Sequence, residues 1–107
     1  MRPAIAEFVS LGTMPSEDDA PLAQLEVYER LVRAFEPPAS DEEAAAMAQV
    51  LPDGDDSLFG MVWSAVHFIE TAPSWPIVSS LRPVTGWRRV MWERGESAGR
   101  LPAPPMS

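Results

Sequence analysis

The stretch Leu58 to Ile69, LFGMVWSAVHFI, decides the fold. It is almost wholly apolar, and Glu70-Thr71-Ala72-Pro73 closes it. A helix that is hydrophobic on every side has to be surrounded by protein, so a central helix is expected at about residues 57–71. Within it Gly60, Ser64, His67 and Thr71 fall on one face at the spacing of helix neighbours. Gly60 and Ser64 read as a small pair that lets another helix cross closely.

Upstream, two helices are expected. Leu22, Leu25, Tyr28, Leu31, Val32 and Phe35 form an apolar stripe from about Pro21 to Glu36, with Asp19 as cap and Pro37-Pro38 as stop. Glu26–Arg30 and Glu29–Arg33 are pairs four residues apart in the favourable order. Ser40-Asp41-Glu42-Glu43 is a capping box that starts the next helix, and Pro52 ends it. Residues 3–12, PAIAEFVSLG, read either as one or two helical turns capped by Gly12 or as an edge strand. Asp53 to Ser57 is a turn in which Asp55 or Asp56 caps the central helix.

Downstream, Ser74-Trp75-Pro76 opens a short helix through Leu81. Segment 77–95 is helix or hairpin; Trp87 to Arg94, WRRVMWER, favours helix because Gly95 stands where a C-cap would. The fold class is therefore mainly α, a bundle of three to five helices around the central one. Residues 1–100 make one domain, and 101–107 are an extended, mobile, proline-rich tail.

Composition narrows the classes of function. With 107 residues and 46% apolar side chains, the chain can bury one real core. Cysteine is absent, which excludes disulfides, thiolate metal sites and cysteine nucleophiles. The opening Met1-Arg2-Pro3-Ala4 lacks the apolar run of a signal peptide, and no segment reaches the roughly 18–20 apolar residues of a membrane span. A cytoplasmic protein without membrane contact is expected. The net charge is −8, and it is unevenly spread. Residues 1–70 hold 14 of the 16 acids against Arg2, Arg30 and Arg33, whereas 71–107 hold five arginines against Glu93 and Glu96. Such an acidic surface repels nucleic-acid backbones and steers toward basic proteins, besides keeping a small protein in solution.

Each candidate site has a plain structural reading beside it. The acids at 53–57 fail as a calcium loop, because positions 6 and 12 counted from Asp53 are Leu58 and Ser64. His67 and Glu70, three apart, form either a general base or two metal ligands, with Ser64 nearby and Trp63 or Trp75 as roof. A single histidine leaves no second imidazole for a metal, so no metal or cofactor is expected, and a buried imidazole bonded inside the core is the simpler account. Trp63 reads as core. Trp87 to Trp92, tryptophans among arginines, read either as a docking surface or as a basic segment folded back onto the acidic helices.

The segment Gly60 to Pro76, GMVWSAVHFIETAPSWP, has the cadence G-x-x-W-x-x-x-H-x-I-E-x-x-P-x-W-P. With Leu11-Gly12-x-x-Pro15 and the acidic helical pair before it, it resembles short helical immunity proteins encoded beside bacterial polymorphic toxins. The resemblance implies a non-enzymatic role, binding and blocking a toxin made by the same cell. The acids expected to meet the basic partner are Glu17, Asp18, Asp19, Asp41, Glu42, Asp53, Asp55 and Asp56. The alternatives are a small-molecule or enzymatic site at His67, Glu70, Ser64, Trp63 and Trp75, and a subunit docking through Trp87–Trp92.

Overall fold

The computed structural model describes residues 1–105; Met106 and Ser107, the end of the expected tail, lie outside them. The elements are α1 (Pro3–Ser10), α2 (Leu22–Arg33), α3 (Asp41–Ala48), α4 (Met61–Ile69), a 3₁₀ turn (Val78–Leu81) and α5 (Gly86–Ser97). Among the described residues there is no strand, so neither the edge strand at 3–12 nor the hairpin at 77–95 forms.

Contacts far apart in sequence fix the directions. Glu7 meets Arg30 and Arg2 donates to the carbonyl of Glu36, so α2 runs antiparallel to α1. Arg2 meets Glu43 and the Met14 N–H donates to Val50, so α3 runs with α1. Ala39 N–H donates to Thr71 Oγ1, which places the start of α3 beside the end of α4. The result is a four-cornered bundle in which α4 touches both α2 and α3. From α4 the chain returns through the 3₁₀ turn, where Gln49 Nε2 donates to the carbonyls of Ser80 and Arg82. Helix α5 then runs along α4 in the same direction, pairing Trp87 with Trp63 and Arg94 with Glu70.

The core explains why this order is stable. Phe8, Tyr28, Leu31, Met47, Leu51, Leu58, Val62, Val66 and Met91 are fully enclosed. Phe8 lies edge-on to Tyr28 and Phe35, and Phe35 stacks on Phe68 at 4.9 Å. Each such pair contributes about 0.5–1.5 kcal/mol beyond burial, and together they tie α1 and α2 to α4. Gly86 admits α5 to the bundle: a Cβ there would lie 2.5 Å from the Asp53 Cα, and its φ is +52°. Only glycine tolerates both conditions.

Local signals hold where they stay within one turn. The capping box forms in full: Ser40 Oγ accepts from Glu43 N at 3.0 Å, and Glu43 Oε1 accepts from Ser40 N at 2.9 Å. Elsewhere tertiary contacts move the boundaries. Asp19 does not cap α2; it accepts from Ser16 Oγ, and Pro21 stands at the cap position. Glu29 pairs with Arg33 as expected, but Arg30 turns to Glu7 at 2.7 Å. Gly95 lies inside α5, pressed against Leu101, and Gly99 takes the left-handed position after the helix. The described part of the tail is not free at its root: Leu101 packs on the core, and the Pro102 carbonyl accepts from Trp92 Nε1 at 2.9 Å.

The largest departure is at the start of the central helix. Neither Asp55 nor Asp56 caps it; Gly60 does, and Leu58, Phe59 and Gly60 all have positive φ. Bulky residues rarely adopt that conformation, which costs of order 1–3 kcal/mol each. Side-chain oxygens hold all three amides: Asp56 Oδ1 accepts from Leu58 N, Glu17 Oε2 from Phe59 N, and Ser57 Oγ from Gly60 N. The turn buries Leu58 completely and leaves Phe59 65% exposed.

Candidate functional site

The eight acids expected to face a partner separate into two groups. Glu17, Asp18, Asp19, Asp53, Asp55 and Asp56 belong to the linker after α1 and the turn before α4. These two segments are joined by the bond from Glu17 N to Asp56 Oδ1 at 3.3 Å. Asp41 and Glu42 sit at the start of α3, a helix length of about 12 Å away. There Asp41 accepts from Ser74 N at 3.0 Å, and the Ser74 hydroxyl first, then this amide, hold its carboxyl below the usual range. Glu42 is exposed beside the N-terminal ammonium at 3.9 Å.

At the six-acid end, side chains fill several roles. Glu17 and Asp56 hold the backbone of the left-handed turn, so they organise the surface more than they project from it. Asp18, Asp19 and Asp55 are exposed, and no salt bridge among the described residues engages them. Asp53 is exposed at its tip, while its Oδ1 accepts from Arg88 Nη2 at 2.8 Å and from Thr85 Oγ1 at 2.9 Å. Beside these acids lies a hollow of about 300 Å³ lined by Asp53, Gly54, Asp55, Trp63, Gly86, Trp87 and Val90. Trp63 and Trp87 meet edge to face at 4.8 Å, and Trp87 Nε1 is tied to the Asp56 carbonyl at 3.0 Å. Trp63 is not core; it is 38% exposed.

The alternative pocket does not assemble. His67 is exposed rather than enclosed, and with Ser64 it lines a hollow of about 280 Å³ between α2 and α4, walled by Val32, Phe35, Pro37, Phe68 and Thr71. Glu70 turns the other way. Both its oxygens accept from Arg94, at 2.6 and 2.8 Å, and the carboxylate raises the guanidinium's pKa further. Glu70 and Trp75 line a separate hollow of about 490 Å³ with Val90, Glu93, Arg94, Ser97 and Ala98. The imidazole and the carboxylate therefore serve different faces of α4, and Trp75 roofs only the second.

Trp87 and Trp92 do not make an outer surface, since each is 4% exposed. The basic third folds back on the bundle. Arg88 is buried and donates to the carbonyls of Pro83 and Leu51 as well as to Asp53. Arg82 lies over Trp92, Arg94 over Trp63 and Arg100 over Trp75, at 5.6 to 5.9 Å.

Residue periodicity did not mark Phe59, Gly86 or Val90 as parts of this end. Phe59 reads as the first turn of the central helix, and only the glycine beside it hints at a break. Among the described residues no three or more histidine, aspartate or glutamate side chains come together as a metal site, and no helix is long and apolar enough to cross a membrane. Comparison with family models, curated proteins and solved structures returns no match for this chain.

Proposed function

We propose that this protein binds another protein with a basic surface through the end of the bundle where α4 begins, and that it acts as an immunity-type inhibitor of a toxin in the same cytoplasm. The observation that carries the reading is the company kept at that end. Asp18, Asp19 and Asp55 are exposed and in no salt bridge among the described residues, beside the exposed rings of Phe59 and Trp63. Acids accelerate encounter with a basic partner, and rigid aromatic side chains supply the buried anchors that hold it. The left-handed turn supports the same reading, because it holds Phe59 at the surface beside these acids while Leu58 anchors it in the core. Nucleic acid is the poorer partner, since phosphates would face the same carboxylates.

The test is capture of the product of the neighbouring gene by the full chain, in low and in high salt. Capture at low salt that weakens as salt rises is expected, because exposed charges are screened within about 8–10 Å. Absence of capture at both salts ends the proposal.

A further inference from the structure

We propose that the hollow lined by Asp53, Asp55, Trp63 and Trp87 receives an arginine side chain of the protein partner; the assignment rests on the basic-partner reading above. Two carboxylates stand at this hollow, Asp53 and Asp55, and its walls are indole rings and Val90. About 300 Å³ accommodates a guanidinium with its aliphatic stem. Neither Gly54 nor Gly86 places a side chain across the opening, and a Cβ at Gly54 would meet nothing within 4 Å.

The charges favour a cation over an apolar plug. Asp55 has no salt bridge among the described residues, and Asp53 is paired through Oδ1 with Arg88 and Thr85, so one carboxylate charge at the hollow is left uncompensated while Asp53 Oδ2 is free to accept. A neutral side chain seated between them would remove water from a carboxylate without replacing its hydrogen bonds. A guanidinium supplies donors to the carboxylates while its flat face lies on an indole. Arginine fits better than lysine, because its head is planar and more weakly hydrated. The molecule already uses this contact elsewhere: Arg82 lies over Trp92 and Arg100 over Trp75. Arg94 does reach Trp63, but Glu70 holds it in both directions and it does not line the hollow.

The experiment follows the four indole N–H signals of the full chain by two-dimensional NMR during titration with N-acetyl-arginine amide. The comparison ligands are the amides of N-acetyl-lysine and of N-acetyl-citrulline, the last a neutral match in shape. Arginine is expected to move the Trp63 and Trp87 signals and to spare those of Trp75 and Trp92. Citrulline should bind at least about three- to five-fold more weakly, the worth of one exposed cation–aromatic contact, and Asp55→Asn should weaken the arginine response to a similar degree. Asp55 is exposed, so this variant keeps the fold. Equal responses to arginine and citrulline, a lysine response equal to that of arginine, or movement spread over all four indoles overturns the proposal. Failure here is separable from failure of the function. If the neighbouring gene's product is captured by the chain with the expected salt dependence while N-acetyl-arginine amide leaves the Trp63 and Trp87 signals unmoved, the arginine pocket is wrong and the basic-partner reading stands.

Discussion

Where α3 begins, Glu43 is 2% exposed and closed by Arg2 through Nε, Nη2 and the backbone amide. Glu70 on the same end is locked to Arg94, and Asp41 to the Ser74 amide. Where α4 begins, Asp18 and Asp55 stand in solvent without such partners, beside Phe59 and Trp63. The two ends use the same residue types. What separates Glu43, Glu70 and Asp41 from Asp18 and Asp55 is whether the chain brings a guanidinium or an amide to meet the carboxylate; at the second end Asp53, Asp56 and Glu17 have such donors too. At the first end the charges are structural, because a buried carboxylate without a donor is strongly destabilising. At the second, Asp18 and Asp55 carry little stability, since exposed charges interact weakly through water, and they remain open to another molecule.

Four measurements test this contrast. The largest effect is expected from Gly86→Ala, whose Cβ would strike the Asp53 backbone from a left-handed position. A loss of about 3 kcal/mol or more is expected from the backbone clash and strain together. Urea denaturation would show it, and an unchanged midpoint would mean that α5 is not seated as described.

Arg2→Ala comes next: it strands the enclosed Glu43 carboxylate, and a fall in the urea midpoint smaller than that of Gly86→Ala is expected. Its pH signature is specific. Arg2 first, and then the backbone amides of Ser40 and Arg2, hold the Glu43 carboxyl at about 2, below the ordinary value of 4.5, despite the opposing effect of burial. A depressed carboxyl stabilises the native state above its ordinary value, and that contribution is lost as pH falls from about 4.5 to about 2. Stability should therefore drop through that window in the parent chain and much less in Arg2→Ala. Equal slopes would show that the ion pair is not the source.

At the other end, Asp18→Asn with Asp55→Asn should leave the denaturation midpoint within about 0.5 kcal/mol, as surface changes usually do. Association with a basic partner should slow about ten-fold at low salt and hardly at all at high salt. A large loss of stability instead would erase the distinction between the two ends. The smallest effect belongs to Tyr28→Phe. Tyr28 is fully buried, and its hydroxyl has no hydrogen-bond partner among the described residues. Removing it should be neutral or stabilising by up to about 1 kcal/mol, and a marked loss would reveal a hidden partner.

Much of the bundle was legible residue by residue. The stripe of α2, the capping box of α3 and the apolar run of α4 each depend on neighbours within four positions, and all three elements form. The site was legible only in its charge. The eight acids were read as one surface, yet the length of α3 divides them. His67 and Glu70 stand at the spacing of neighbours, yet Arg94, 24 residues beyond Glu70, turns the carboxylate away. Trp63 reads as core, yet it reaches solvent; for Trp87 and Trp92, which read either as a docking surface or as a segment folded back, the structure takes the second course and buries both.

By itself the sequence determined the helical class, the acidic character and the absence of cysteine chemistry, because patterning, charge and composition are properties of the chain in any conformation. Tertiary structure alone decided which charges are neutralised and which aromatic rings reach solvent. Pairings such as Arg2 with Glu43, 41 residues apart, or Glu17 with the Phe59 amide, 42 apart, exist only after the helices have packed. A carboxylate's role depends on the donor that folding brings to it, and neither its residue type nor its spacing records that donor.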